Sequence, residues 1–329
     1  MIRHASYLSV ASLLVLSSLA LGCDDDGEGD GTGGSTSSST TTSTTTTTSS
    51  AGGSGGTGGA GGSGGFGGAG GGVEAVEIQF AGQVGNAAFD CASTYQLGSA
   101  STDVTITDFR LYVHDVRLIT ANDEEVAVEL TQDGLWQHQN LALLDFEDKT
   151  GACANGTTPK NTSVRGAVPP GDYVGLAFRV GVPASLDQLD ASNANTPSPL
   201  NLTAMYWSWT TGYKFLRIDA ARTGLTPFNL HLGATGCAGD PALGETRVCS
   251  RPNLPSVEFA SFDAASDVVI VDYAAALATT DLSLADAGGA PGCMSGLTDP
   301  ECTPIFPRLG LDLATGASDP SQQALFRIE

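Results

Sequence analysis

The segment GLWQHQNLALLDFED contains the two side chains with the clearest capacity for chemistry. Trp136 and His138 are two positions apart, in a chain that has only four histidines and three tryptophans. If the segment is extended, both side chains project to one face, with Cα atoms about 6.6 Å apart. An imidazole on such a face can bind a metal ion. From spacing alone, a packed tryptophan beside a surface histidine is the simpler interpretation.

Two other histidines lie in strand-like segments. His231 occurs in PFNLHLGATGC, shortly before a glycine-rich turn and Cys237, and His114 directly precedes Asp115 in LYVHDVRL. Each is compatible with a hydrogen-bonded core histidine, and His231 is also compatible with a site at the rim of a β-sandwich. Spacing does not decide between these alternatives.

The segment MYWSWTTGYKFLRID concentrates aromatic residues. Trp207 and Trp209 would share one face of a strand, with Tyr206 on the opposite face. Core packing is the first interpretation of this pattern. The alternative is a platform that stacks on sugar rings, which would make the protein a carbohydrate-binding or surface-adhesion module.

Common catalytic motifs are missing from the sequence. It contains no HExxH, no GxSxG, no P-loop and no EF-hand loop. No proton-transfer group is marked near the candidate ligands, and we therefore predict that the protein is not an enzyme. The many loop Asp and Asn residues would admit calcium as a second metal, although no motif marks a site.

The N-terminus has the layout of an export signal. Arg3 and His4 precede an apolar stretch from Tyr7 to Leu21, which is too short to span a membrane. The run LALGC resembles a lipobox, so we predict a signal peptide over 1–22 and lipidation of Cys23. The protein is then exported and lipid-anchored to the cell envelope, at the outer membrane or facing the periplasm.

Residues 23–72 are predicted to form a disordered linker. This region is rich in Asp at its start, in Ser and Thr next and in Gly at its end, a composition that cannot bury a core. From residue 73 to 329 the composition is that of one globular domain. Several short alternating segments, such as VEAVEIQFAG and DVVIVDY, indicate strands. The predicted fold is all-β, a β-sandwich-like single domain with long loops and disulfides.

The cysteine count fits an oxidising compartment. The chain has seven cysteines, and setting Cys23 aside leaves an even number, as expected for disulfides in an exported protein. Six cysteines allow 15 pairings. Proximity in sequence favours Cys237 with Cys249 and Cys293 with Cys302, which leaves Cys91 with Cys153 to close a long loop.

The net charge is strongly negative. The sequence has 14 basic and 36 acidic residues, for a formal charge of −22. Such a balance argues against nucleic acid and against anionic lipid headgroups as partners. It suits an acidic domain or one that docks a basic partner.

Several stretches in the same order resemble one known family. They are FRLYVHDVRL, LALLDFEDKTGACANGT, VPPGDYVGLAFRVGVP, MYWSWTTGYKFLRID, FNLHLGATGC and GCMSGLTDPECTPIFPRLGLDL. Together they resemble the MbnP-like copper-binding family, also described as metallo-mystery-pair four-Cys motif proteins. This chain departs from that description because six cysteines follow Cys23, not four.

The resemblance implies a copper site. In the family's methanotroph copper proteins, copper is bound by two histidines and a tryptophan oxidised to kynurenine, which precedes one histidine as W-x-H. By similarity, Trp136 is the modified residue, and His138 and His231 are the histidine ligands. The family also implies a dihaem cytochrome c peroxidase-like (MbnH-type) partner that oxidises the tryptophan. The expected role is copper uptake, storage or sequestration.

Overall fold

The computed structural model describes residues 72–208, 212–286 and 289–329. The predicted signal peptide, Cys23, almost all of the predicted linker and Trp209 lie outside the described residues. The described strands, in chain order, are β1 (Glu74–Val84), β2 (Ala87–Ala88), β3 (Thr94–Leu97), β4 (Thr102–Thr120), β5 (Glu125–Ala127), β6 (Glu129–Leu130), β7 (Gln137–His138), β8 (Leu141–Asp145), β9 (Ser163–Val168), β10 (Tyr173–Val180), β11 (Tyr206–Trp207), β12 (Gly212–Tyr213), β13 (Leu216–Arg222), β14 (Phe228–Leu232), β15 (Thr235–Ala238), β16 (Val248–Arg251), β17 (Ser256–Phe259), β18 (Val268–Asp272), β19 (Gly292–Cys293) and β20 (Phe326–Ile328).

The described strands form two main sheets and two small hairpins. The smaller main sheet has the order β20-β18-β1-β9-β6, with β2 beside β1. The larger has the order β17-β10-β4-β13-β14-β19, while β3, β5 and β8 also pair with β4, and β7 pairs with β8. The hairpins are β11-β12 and β15-β16. The all-β prediction is confirmed.

The two main sheets share one hydrophobic core. Phe80 of β1 meets Phe178 of β10 edge to face, with ring centroids 5.7 Å apart. Phe109 of β4 lies against Gly82 of β1, where an added Cβ would be 3.2 Å from the ring. Because side chains alternate along a strand, Phe109 faces the smaller sheet and its neighbours Asp108 and Arg110 face the other way.

Strand β4 organises the larger sheet because it is 19 residues long. Its first half pairs with β13 and its second half with β10. Within the second half, Asp115 has a φ of 55°, in the left-handed region that few non-glycine residues adopt. The register of β10 shifts opposite this point. The pairing of β4 with β10 is therefore locally irregular at Asp115.

Helices are few and short. The described α-helices are α1 (Ala184–Asp187) and α2 (Tyr273–Leu277). Asp272 caps α2 by accepting a hydrogen bond from the Ala275 amide at 3.1 Å. Within the described ranges, no helix combines the length and apolar character needed to cross a lipid bilayer.

The three predicted disulfides are confirmed. Cys237 bonds to Cys249 across the β15-β16 hairpin, and Cys293 bonds to Cys302. The third joins Cys91 to Cys153 over a sequence separation of 62 and ties the loop after β8 to the loop after β2. Proximity in sequence was sufficient here because each of the two short pairs closes a local turn or hairpin.

The long and short disulfides should differ in their effect on stability. Loop-closure entropy predicts that Cys91→Ser with Cys153→Ser lowers the unfolding free energy by about 4 kcal/mol. The matched pair Cys293→Ser with Cys302→Ser spans a separation of 9 and should cost about 2.5 kcal/mol. Urea denaturation of both double variants measures this difference. Equal losses would contradict a stabilisation dominated by loop closure.

Candidate metal centre

A row of polar and charged side chains crosses the outer face of the larger sheet. Asp145 of β8 lies opposite Arg110 of β4, Arg110 lies opposite Arg217 of β13, and Arg217 lies opposite His231 of β14. Directly opposed residues project to the same face of a sheet. Strand register therefore aligns four side chains that are far apart in sequence.

The chain between β10 and β13 covers this row. The Tyr112 hydroxyl donates to the Pro199 carbonyl at 2.9 Å, and the Arg217 guanidinium donates to the Ala204 carbonyl at the same distance. The outer face of the sheet is consequently a second buried layer, and its polar groups must find partners inside the protein.

Arg110 is fully buried at the centre of the row. Its Nε donates to Asp108 at 2.8 Å, and its terminal nitrogens lie beside Asp108 and 3.8 Å from Glu147. Burial alone would lower the pKa of Arg110, but the bond to Asp108 and the nearby carboxylates Asp145 and Glu147 raise it. Arg217 also reaches Asp108, at 3.2 Å, and so links β4 to β13.

The loop after β8 supplies further carboxylate contacts. Glu147 accepts hydrogen bonds from the backbone amides of Thr157 at 2.6 Å and Lys149 at 2.8 Å. Asp145 accepts from the Thr157 hydroxyl at 2.7 Å. Burial raises the pKa of Asp145 to about 7, against the opposing effects of Thr157 and Arg110. Asp145 therefore titrates near neutral pH.

Asp145 should make the stability of the protein depend on pH. Because its folded pKa of about 7 lies above its unfolded value, its contribution is full below pH ~4 and is lost as pH rises through 7. Asp145→Asn should reduce the loss of unfolding free energy between pH 5 and pH 8. Urea denaturation at both pH values measures this loss, with the nearby loop variant Asp148→Asn as control. An unchanged pH dependence in Asp145→Asn would contradict the assignment.

His231 lies at the β14 end of the row and is almost completely buried. Its Nε2 is 2.6 Å from Asp219 Oδ1, and Arg217 donates to the other carboxylate oxygen of Asp219 at 2.6 and 2.9 Å. Burial would raise the pKa of Asp219, but the bonds from His231 and Arg217 hold it at about 2. Burial also lowers the pKa of His231, although Asp219 opposes that effect. His231 is therefore a neutral imidazole beside the ionised carboxylate of Asp219.

These contacts determine the tautomer of His231. A carboxylate can only accept, so Nε2 carries the hydrogen and Nδ1 carries the lone pair. Nδ1 is buried and has no hydrogen-bond partner within the residues that the structure describes. A buried imidazole with one nitrogen anchored by a carboxylate and the other available is the usual arrangement of a metal-binding histidine.

Trp207 packs beside His231. Their ring centroids are 6.2 Å apart and the rings are tilted by 53°. Gly233 permits this contact, because a Cβ at that position would lie 2.4 Å from the indole ring. Trp207 is only 5% exposed and offers no face for stacking on a sugar. The sugar-platform interpretation of Trp207 is therefore wrong.

Trp136 and His138 lie elsewhere on the larger sheet. His138 is half-buried at the end of β7, opposite Leu141. Trp136 is also half-buried and lines a cavity of about 240 Å³ with, among others, Leu143 and Leu202. The alternation across Gln137 agrees with the predicted extended geometry of the W-x-H segment.

The three predicted ligands do not come together. From His138 to His231 the sheet runs β7-β8-β4-β13-β14, which is four strand spacings, or about 19 Å. The sheet therefore separates His138 from His231, and a single site formed by Trp136, His138 and His231 stays a prediction. Sequence reasoning missed the pairing of His231 with Trp207. The only local sequence signal for this contact is Gly233, the glycine of HLG.

His114 has a structural role. Its Nδ1 is 2.8 Å from the Gly181 carbonyl, and burial lowers its pKa to about 4. The described residues contain one group of three His, Cys, Asp or Glu side chains within mutual metal-ligating distance: Cys293, Asp299 and Cys302. Both of those cysteines form a disulfide and have no thiolate to offer.

The fold and the site define a class: a disulfide-bonded, all-β protein with a carboxylate-anchored imidazole in a buried polar row. The MbnP family model matches residues 73–295, and the chain belongs to the MbnP family. The solved structure of MbnP from Methylosinus trichosporium is similar, with a TM-score of 0.69 and 33% sequence identity, over 78% of this chain and 98% of that one. No curated protein is matched. The family resemblance of the sequence is confirmed.

Proposed function

We propose that this protein binds copper and is not an enzyme, and that it acts in copper uptake, storage or sequestration at the cell envelope. The observation that carries the proposal is the Nδ1 atom of His231, which is buried and without a hydrogen-bond partner among the described residues. Leaving a buried polar atom unpaired costs about 1–3 kcal/mol, a cost that a bound ion at this atom would remove.

The donor chemistry supports copper. Neutral imidazole nitrogen suits copper, and copper leads the divalent affinity order. Asp219 anchors the other ring nitrogen, which makes the imidazole more basic and fixes its orientation. Arg217 in turn holds Asp219, so the ligand is positioned before any ion arrives.

The second ligand in this proposal comes from Trp207. An intact indole has no available nitrogen lone pair. Oxidative cleavage of the C2–C3 bond of its pyrrole ring, followed by hydrolysis that releases the N-formyl group as formate, yields an aniline amine that can bind metal. A dihaem cytochrome c peroxidase-like partner would catalyse the oxidation, with two molecules of hydrogen peroxide as oxidant, which are reduced to water. The contact between Trp207 and His231 favours this tryptophan over Trp136, which lies with His138 in a separate pair.

Copper affinity should depend on His231 and on its tautomer. We expect His231→Ala to weaken copper binding at least about tenfold. In Asp219→Asn, Arg217 keeps its hydrogen bond to the side-chain oxygen, so the amide NH2 group faces Nε2 of His231. Nε2 must then accept, and the ring hydrogen moves to Nδ1. We expect this change to weaken copper binding about 10–100-fold. Competition titrations with a copper chelator measure both, and His138→Ala is the matched control.

Mass spectrometry of protein from the native host complements the titrations. Kynurenine at Trp207 supports the proposed centre, whereas kynurenine at Trp136 alone would move it to the edge strand with His138. The same spectra should cover Trp209. Unchanged copper affinity in both His231→Ala and Asp219→Asn would reject the proposed ligand.

We also propose that Cys23 carries a lipid that anchors the protein to the envelope. The LALGC run and the polar residues after it support this. Cys23→Ser should move the protein from the membrane fraction to the soluble exported fraction, as followed by immunoblotting of fractionated cells. Retention of the variant in the membrane fraction would contradict the anchor.

A further inference from the structure

A cavity of about 300 Å³ opens beside the β15-β16 hairpin, and neither of the proposed copper ligands lines it. Its walls are mainly apolar and include Val182, Phe215, Ala234, Val248 and Leu254. The Cys237–Cys249 disulfide crosslinks the hairpin that forms one wall, and Cys249 itself lines the cavity. The cavity is therefore built on a covalently fixed element.

The charged groups of the cavity wall are paired. Arg247 forms a buried ion pair with Asp187, and Asp187 also accepts from the Tyr213 amide at 2.8 Å. The inserted part of an occupant therefore meets mostly apolar surface and an ion pair that is already satisfied. An apolar group gains from burial here, at about 25 cal/mol per Å².

Acidic residues lie near the cavity lining. Asp190 and Asp240 act electrostatically on the Tyr206 hydroxyl, as do Asp187 and Arg247 of the cavity wall. Glu245 accepts from the Asp240 amide at 3.0 Å and directly precedes Thr246, another lining residue.

Two exposed apolar side chains lie on the same hairpin. Leu243 is 76% exposed and Val248 is 66% exposed. Large apolar side chains held in solvent beside a cavity are a feature of interaction surfaces.

We infer that this cavity binds an apolar side chain of a protein partner, and that basic residues flank that side chain in the partner's sequence. The apolar anchor supplies affinity by filling the cavity. The flanking positive charges complement the acidic residues near the lining, Asp190, Asp240 and Glu245, which confers specificity and faster association. The inference stands independently of copper binding.

Three capped tripeptides test the inference on the intact mature protein. Lysine–phenylalanine–lysine should bind, with NMR shifts at Ala234, Val248 and Leu254. Glutamate–phenylalanine–glutamate and lysine–alanine–lysine should each bind at least about tenfold more weakly. Equal binding of the two lysine peptides would show that charge attraction alone drives binding, and this would overturn the inference. Equal binding of the two phenylalanine peptides, or no binding by any, would also overturn the inference.

Variants localise the site. Ala184 lines the cavity and is exposed, whereas its neighbour Ser185 is exposed and does not line it. Ala184→Trp should fill the cavity and abolish binding of the phenylalanine peptide, and Ser185→Trp should leave it unchanged. Asp240→Asn with Glu245→Gln should reduce the preference for lysine over glutamate peptides. Identical behaviour of the two tryptophan variants would place the binding elsewhere.

Discussion

The fully buried guanidinium of Arg110 is the constraint on which the larger sheet depends. A charge out of water is tolerated only when partners surround it, and removing one partner of a buried pair typically costs ~3–5 kcal/mol. Asp108 and Glu147 provide those partners from β4 and from the loop after β8. The sheet register and the position of that loop are thus tied to one side chain.

The same row of charges connects Arg110 to His231, the proposed copper ligand. Arg217 bridges Asp108 and Asp219, and Asp219 fixes the tautomer of His231. The imidazole at the end of the row is therefore held by a chain of ion pairs, not by apolar packing alone. In the copper site that we propose, these ion pairs would position the His231 imidazole and keep it neutral, as metal binding requires.

The two tryptophan–histidine pairs differ in their surroundings. Trp136 and His138 are half-buried at an edge strand, where β7 pairs with β8 and the Trp136 amide donates a hydrogen bond to Asp133. Trp207 and His231 are buried against each other, and Gly233 gives the indole its space. The close packing of the second pair is the reason that we propose Trp207 and His231 as the copper ligands.

The sequence by itself determined the all-β class, the three disulfides and the family. Alternating segments such as VEAVEIQFAG specify strands, and the nearest cysteines closed local loops. The sequence also singled out His231, but it could not associate His231 with Trp207 or separate it from His138. Those relations depend on the register of β13 against β4 and against β14. The pairing of β13 with β4 joins residues more than a hundred positions apart in sequence. Only the tertiary structure decides which face and which row each side chain occupies, because a shift of one residue in register turns every side chain to the opposite face.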